Sequence, residues 1–369
     1  MTPVVPSPIA SRISVPTVHD AMDNICRLAS EAYSGWVFRR AEAADLAHYD
    51  CGMDAILFFG ILVTSTNEAL SSQSFLTTFN LAYSTWDGRV LYLDRLGLEQ
   101  TDAQGDQTFV LQLPLLLPRI LCQLAVKLNC TRFVWHHYQP LSFPSKHQPH
   151  YLDGWLTLQW DTEAMRKFAC EDLQSDNISP RRSFLSPRDI RGTIENVLQS
   201  QKHEHFRLRL ADKDDVKEIG RLVRGLALFE KEPESVHISE DHYYLDGFGD
   251  HPLFYCILLD CKVESHEEFY ASGMAFFFIG YKCDVGYFLY LEDLFIEESY
   301  RGNGGGTVAM KALAKIGVYL GCARTVWQAL NWNSPALKFY DGIGAKLQNG
   351  LLTSRFAGAA LVEFANTKE

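Results

Sequence analysis

With 369 residues, 47% of them hydrophobic, and a net charge of −11, the chain exceeds the usual single domain and can build two cores. The acidic balance argues against nucleic acid as a partner and mildly favours cationic substrates. Nine cysteines, scattered without metal-type pairs, point to reduced thiols in an intracellular, cytoplasmic compartment.

The first 18 residues carry prolines and serines but no apolar core of signal-peptide length. The most apolar run, residues 108–126, is broken by Pro114, Pro118 and Arg119 and falls short of the about 20 clean residues a span requires. It reads as a buried helix, so no membrane association is expected. In chain order, residues 17–33 form an amphipathic helix with Ala21, Ile25, Leu28, Ala29 and Ala32 on one side. Strands follow at 54–63 and 74–83, and Asp87-Gly88 turns the second into another at 89–94. His136, His137, His147 and His150 show neither helical i,i+4 spacing nor a cysteine partner set; prolines around them suggest a surface loop rather than a metal site. Residues 154–160 close this first unit as a strand. Residues 172–205 are polar, with Pro180, Arg181, Arg182, Pro187 and Arg188, and read as a linker with one helix near 188–199.

A second unit opens with an alternating strand at 206–210. A cap-rich start at 212–215 leads to a helix whose buried stripe is Val216, Ile219, Leu222, Val223 and Leu226. Apolar strands follow at 254–259 and 273–279. Next come Leu289, Tyr290 and Leu291, the acids Glu292 and Asp293, the apolar Leu294, Phe295 and Ile296, and a glycine loop. The loop is Arg301-Gly302-Asn303-Gly304-Gly305-Gly306-Thr307, and Val308, Ala309, Met310 and Leu313 continue with helical spacing. Glycines let this backbone approach a ligand closely, and the free N–H groups of the helix start face whatever the loop holds. The stretch is an anion cradle that lacks the Lys-Ser/Thr of a P-loop. A strand at 325–330 and a helix from 335 to 340 complete the unit.

The units repeat one another. Residues 288–292 match 90–94, 321–327 match 129–135, and 214–222 parallel 20–28 with the same Ile-x-Arg-Leu spacing. Three matches in one order indicate a tandem repeat. The first copy carries, in place of the cradle, residues 100–107, with one glycine and two acids that repel a pyrophosphate. Beyond Trp135 it has His136, His137, Tyr138, Pro140 and Pro144 instead of an Asn-rich loop.

The order Arg-x-x-Gly-x-Gly after an apolar strand resembles the pyrophosphate loop of the GNAT N-acetyltransferases. The match narrows further. Leu289 to Asp293, the loop, Asn331-Trp332-Asn333-Ser334-Pro335-Ala336, Phe339-Tyr340 and Gly344-Ala345 occur in the order and spacing of the diamine (spermidine/spermine) acetyltransferases. So do residues 226–230 and 246–252. This resemblance covers roughly residues 206–345. It implies tandem GNAT acyl-CoA N-acyltransferase folds, an α/β class with mixed sheets. The expected division is a degenerate copy at 1–171, the linker at 172–205 and a catalytic copy at 206–369.

The resemblance also implies chemistry. An alkylammonium has a pKa of about 10.4, so acyl transfer to nitrogen needs a base at neutral pH. Glu292, an acid at a strand end, matches the family's base, and Tyr340, a phenol donor, the acid that protonates the leaving thiolate. For acetyl-coenzyme A the resemblance assigns backbone contacts to Leu294, Phe295 and Ile296. It assigns the pyrophosphate to Arg301, Gly302, Asn303, Gly304, Gly305, Gly306 and Thr307, with further contacts from Asn333, Ser334, Pro335, Ala336 and Tyr340. Phe229, Glu230, Glu292, Asp293, Val326, Trp327 and Gln328 would line the amine site. The family's acidic Glu-Glu-Gly-Trp stretch corresponds here to residues 351–354, which carry no acid. The expected activity is N-acetylation of a small cationic primary amine, a polyamine or diamine; the alternatives are a lysine- or thialysine-like acceptor, or a catalytically inactive coenzyme A-binding scaffold. Diamine acetyltransferases are homodimers, so the expected assembly is a monomer whose two copies form an intramolecular pseudo-dimer.

Overall fold

The computed structural model describes residues 12–48, 58–66, 74–96, 107–138, 143, 147–169, 185–201, 203, 206–262 and 269–367. The first half runs α1 (Val15–Ala32), β1 (Trp36–Arg40), α2 (Ala43–His48), β2 (Phe58–Ser65), β3 (Ser74–Ser84), β4 (Gly88–Arg95), α3 (Gln107–Lys127), β5 (Arg132–His137), β6 (His150–Tyr151), β7 (Trp155–Asp161) and α4 (Thr162–Ala169). After α5 (Pro187–Ser200) the second half runs β8 (Phe206–Leu210), α6 (Val216–Phe229), α7 (Glu240–Gly247), β9 (Tyr255–Lys262), β10 (Phe269–Lys282), β11 (Gly286–Ile296), α8 (Gly305–Tyr319), β12 (Arg324–Leu330), α9 (Ser334–Gly342), β13 (Lys346–Leu347), β14 (Leu352–Ala357) and α10 (Gly358–Ala365).

Local chemistry sets the boundaries. The Ser14 hydroxyl caps α1 by accepting from the Thr17 amide at 3.3 Å. A reciprocal Ser186–Asp189 capping box with proline in the first turn starts α5. The β3–β4 and β10–β11 hairpins turn on Gly88 and Gly286, at φ +88° and +91°, a region glycine enters without steric cost. The start of the strand expected at 54–63, including Ile56 and Leu57, lies outside the described residues, as do residues 100–106, Pro140 and Pro144.

The strands form two seven-stranded mixed sheets, ordered β1-β2-β3-β4-β5-β14-β6 and β8-β9-β10-β11-β12-β7-β13. Each has a parallel pair at the same place: Val90 to Leu93 beside Arg132 to Trp135, and Phe288 to Leu291 beside Arg324 to Trp327. The repeat read in the sequence is therefore a repeat of topology. One expectation is corrected. The strand at 154–160 does not close its own copy: β7 pairs with β12, Leu158 opposite Trp327. In return β14 pairs with β5, Ser354 opposite Trp135. The following helices travel with their strands, α4 packing on α8 and α10 on α3. The halves thus exchange a strand and a helix each.

The polar linker is also more integrated than its composition suggests. Leu185, Ile190, Ile194, Val197 and Leu198 are buried in the second core with Met310, Leu313 and Ile316 of α8. Between the sheets, Ala82, Val90, Tyr92 and Val134 meet Phe278, Phe288, Tyr290 and Val326. Polar contacts fix the docking: the Arg89 guanidinium donates to Asp246 at 2.8 and 3.0 Å, both residues buried. The side chain of Asn80 exchanges two hydrogen bonds with the backbone of Tyr281, at 2.9 and 2.8 Å. Such buried pairs are costly to break from one side only, so they define a single docking geometry.

Six described cysteines are free and buried, but Cys283 is disulfide-bonded. This corrects the all-thiol reading, and cysteine usage no longer argues for a compartment. Among the described residues no helix is long and apolar enough to cross a membrane.

Candidate active site

In the second sheet β11 and β12 pair only as far as Leu291 and Trp327. Beyond that the strands diverge, and the edge of β11 at Leu294, Phe295 and Ile296 opens on a cleft of about 610 Å³. Its floor is the loop before α8. Gly302 and Gly304 have φ of +84° and +83°, and Gly304 is the N-cap of this 15-residue helix. A side chain at Gly305 would come within 2.9 Å of both Ile296 and Phe206, so the close backbone approach there requires glycine. With the unpaired amides of the helix start, this shape suits an anionic, phosphate-bearing ligand. The Arg301 side chain donates from Nε to the Ile296 carbonyl at 2.8 Å and lies 4.9 Å from the ring centroid of Phe229.

Leu294, Phe295, Ile296, Arg301, Gly302, Gly304, Gly305, Gly306, Thr307, Asn333, Pro335, Ala336 and Tyr340 all line this cleft. Asn303 and Ser334 do not line it. The Asn333 side chain, besides lining the cleft, caps α9 by accepting from the Ala336 amide at 3.2 Å.

The acids sit on a β-bulge. Phe276 of β10 faces Asp293 and Phe277 faces Leu291, which leaves Glu292 unopposed. The extra residue re-aims the strand and sends both carboxylates toward a second cavity of about 500 Å³. That cavity opens between the halves, and Trp155, Glu230, Glu292, Asp293, Gln328 and Leu330 line it and the cleft alike. Burial, then the neighbouring Asp293 charge, push the Glu292 carboxyl well above its ordinary value; Arg132 and a hydrogen bond from Ser84 oppose the shift. Burial also raises Asp293 against a hydrogen bond from Thr85 and the Arg132 charge. Burial, Asp293 and Glu232 push Glu230 up to about 8. Three acids that resist ionisation together gain from a cation among them.

Tyr340 is buried on α9 with its ring centroid 5.3 Å from that of Trp327. Burial, Asp293 and Glu230 hold its phenol proton on. Phe229, Glu230 and Gln328 reach the cavities, but Val326 and Trp327 do not. Val326 packs between the sheets, and Trp327 lies beneath the site against Trp160, with ring centroids 5.0 Å apart.

Sequence reading missed the contribution of the first half. Ser84, Thr85, Asp87, Arg132, His150 and Asp153 all line the second cavity, joined by Arg355 from the exchanged β14. The only trace in the sequence was that Arg132 falls in the segment matching that of Arg324. Among the described residues of the first half, the acid at the position matching Glu292 is held by its neighbours. The matching bulge leaves Asp94 unopposed between Leu93 and Arg95, and this acid accepts from the Thr78 hydroxyl at 2.9 Å and the Cys283 amide at 3.1 Å. Lys282 lies 3.8 Å away. The neighbouring histidines are structural: His136 Nδ1 lies 3.0 Å from the Tyr92 hydroxyl, His137 Nε2 2.7 Å from Ser354 Oγ and His147 Nε2 3.2 Å from Thr367 Oγ1. Burial, Lys282 and His137 push the His136 imidazole down to about 3.

Splayed parallel strands, a glycine cradle at a helix start and an acid on the bulge together define an acyltransferase fold. Residues 216–345 match the acetyltransferase (GNAT) family. A thialysine N-epsilon-acetyltransferase of Mus musculus is 35% identical over 165 residues, which is 43% of this chain and 96% of the relative. A human spermidine/spermine N(1)-acetyltransferase-like protein 1 is 30% identical over 143 residues, 38% of this chain and 21% of that protein. A tandem GNAT protein of the clavulanic acid biosynthesis pathway aligns with 97% of this chain and 99% of its own at 10% identity and a TM-score of 0.39. The chain belongs to the GNAT family and is an acetyltransferase.

Proposed function

We propose that this chain transfers the acetyl group of acetyl-coenzyme A to the primary amine of a small cationic molecule, a polyamine or diamine. The observation that carries the reading is the set of residues shared by cleft and cavity. Glu230, Glu292 and Asp293 lie where a cofactor-sized slot opens into a second, acid-lined chamber. Coenzyme A would be held by the edge of β11, the loop from Arg301 to Thr307 and the start of α9, and would supply the acetyl group as a thioester. Glu292 takes the proton of the bound ammonium; its raised pKa narrows the gap to the amine it must deprotonate. The freed nitrogen would bond to the acetyl carbon as the carbon–sulfur bond breaks, with Tyr340 giving its proton to the departing sulfur and recovering one from the newly acylated nitrogen. Residues 206–369 carry these groups, and 1–171 serve as a non-catalytic partner in a monomeric, cytoplasmic pseudo-dimer.

A second acceptor class, a lysine- or thialysine-like amino acid, is favoured by one observation: the guanidinium groups of Arg132 and Arg355 in the acceptor chamber. A thiol-release assay over a panel of amines tests the proposal. Release that depends on a primary amine is expected. Coenzyme A binding without release for any amine would leave a scaffold protein instead.

A further inference from the structure

The acceptor chamber is not acidic throughout, and its walls come from different halves. On one side stand Glu230, Glu292 and Asp293 of the second half; on the other, on the first sheet, stand Arg132 of β5 and Arg355 of the exchanged β14. Arg132 and Arg355 share a face of the first sheet. Arg355 lies opposite Val134 and Ala357 opposite Arg132 in the antiparallel β14–β5 ladder, so alternation turns both arginines toward the second half. Burial lowers Arg132, and the first charge acting on it is that of Arg355, followed by Glu292 and Asp293 with opposite sign. The two guanidinium groups and the acid pair are therefore close neighbours.

The arginines are not equivalent. Arg132 is ion-paired with Asp87, whose other oxygen lies 2.6 Å from the Nδ1 of His237. The Arg355 side chain is partly buried, lines the chamber and makes no ion pair or hydrogen bond among the described residues. Burial alone lowers its pKa. A guanidinium in such a place offers a planar fork of donors and has nothing to receive them. An acceptor that is a bare polycation would bring like charge against it.

We infer that Arg355, delivered by the exchanged strand, is a specificity-determining residue that binds an anionic group, a carboxylate, on the amine acceptor. The inference rests on the acetyl-transfer reading above and selects its second acceptor class, the amino acid, over the diamine: the amine end lies among Glu230, Glu292 and Asp293, and the carboxylate end pairs with the guanidinium fork. The exchanged strand, seated in the first sheet, then chooses the acceptor.

The test compares acceptors that differ only in the carboxylate, lysine against cadaverine and ornithine against putrescine, with the full-length protein, Arg355→Gln and Arg355→Lys. Arg355→Gln should lower kcat/KM for the amino acid relative to its decarboxylated partner by at least tenfold, mainly through KM, and Arg355→Lys should restore part of the ratio. An unchanged ratio overturns the inference. If no amine is acetylated, the transfer reading fails and calorimetric titration of the same compounds into the coenzyme A-saturated protein decides the rest. Selective loss of lysine binding in Arg355→Gln supports the assignment. Equal effects on lysine and cadaverine, or no binding of lysine to the unsubstituted protein, overturn it.

Discussion

The hydroxyl of Thr85, in the first half, donates a hydrogen bond to the carboxylate of Asp293, in the second. With Ser84 bonded to Glu292, one turn of the first half holds both acids of the second. These bonds favour the ionised forms and oppose the upward push of burial. Thr85→Val should therefore move the lower step of the acid pair, to which Asp293 contributes most, up by about one pH unit. The measurement is the pH dependence of kcat/KM; an unmoved midpoint in a folded variant would reduce Thr85 to a packing role.

In the cradle, Gly304→Asp and Gly306→Asp should abolish coenzyme A binding, because each puts a side chain and a negative charge where phosphate would lie. Gly304 additionally sits at φ +83°, which costs a non-glycine residue about 1 kcal/mol. Gly304→Ala separates the two effects by adding strain without charge. Calorimetry should find weakened binding there and none in the aspartates, and unchanged affinity in folded aspartate variants would remove the cradle.

The proton-transfer pair predicts two different signatures. Glu292→Gln should lower the rate by about 10²-fold near pH 7. The deficit should be constant below the raised pKa of Glu292 and shrink as pH climbs toward about 10.4, where the amine deprotonates unaided. Tyr340→Phe should lower kcat by a similar factor and leave cofactor affinity nearly unchanged. A Glu292→Gln profile parallel to that of the unsubstituted enzyme would leave that acid as a binding group only.

How much of this was legible depended on range in the chain. The cradle, the strand–acid–strand run and the helical spacing that opens α8 are local patterns, and residues 289–313 stated them almost completely. The bulge at Glu292 was not visible, since a bulge is defined by the strand opposite. Nor was the role of Arg355, which sits in a stretch whose spacing carries no motif; only its ladder with β5 brings it to the chamber. Trp327 illustrates the converse. Its place in the family pattern suggested an amine contact, but its neighbour Trp160 arrives from the other half and covers it.

The exchange of β7 and β14 sets the fate of an isolated second copy. Residues 206–369 lack β7 and α4, so β12 would present a bare edge and α8 an uncovered apolar face. β14 and α10 would meanwhile have no sheet to join. Two such fragments can satisfy each other by trading β14, and light scattering should find a discrete self-associated species. A soluble, fully active monomer would show that the exchanged strand is dispensable.

During synthesis the same exchange imposes an order of events. The β14–β5 ladder joins residues as far apart as Arg132 and Ala357, 225 positions along the chain. At roughly 5–20 residues per second the ribosome delivers the partner of β5 about ten to forty seconds after β5 itself. In that interval β7 emerges only a short stretch behind β5 and can settle in the slot that β14 will need. The expected early species is therefore an amino-terminal half closed by its own β7, which must leave for β12 on the way to the native pairing. Pulse-labelled hydrogen exchange should find the amides of β5 protected early, exposed again, and protected last.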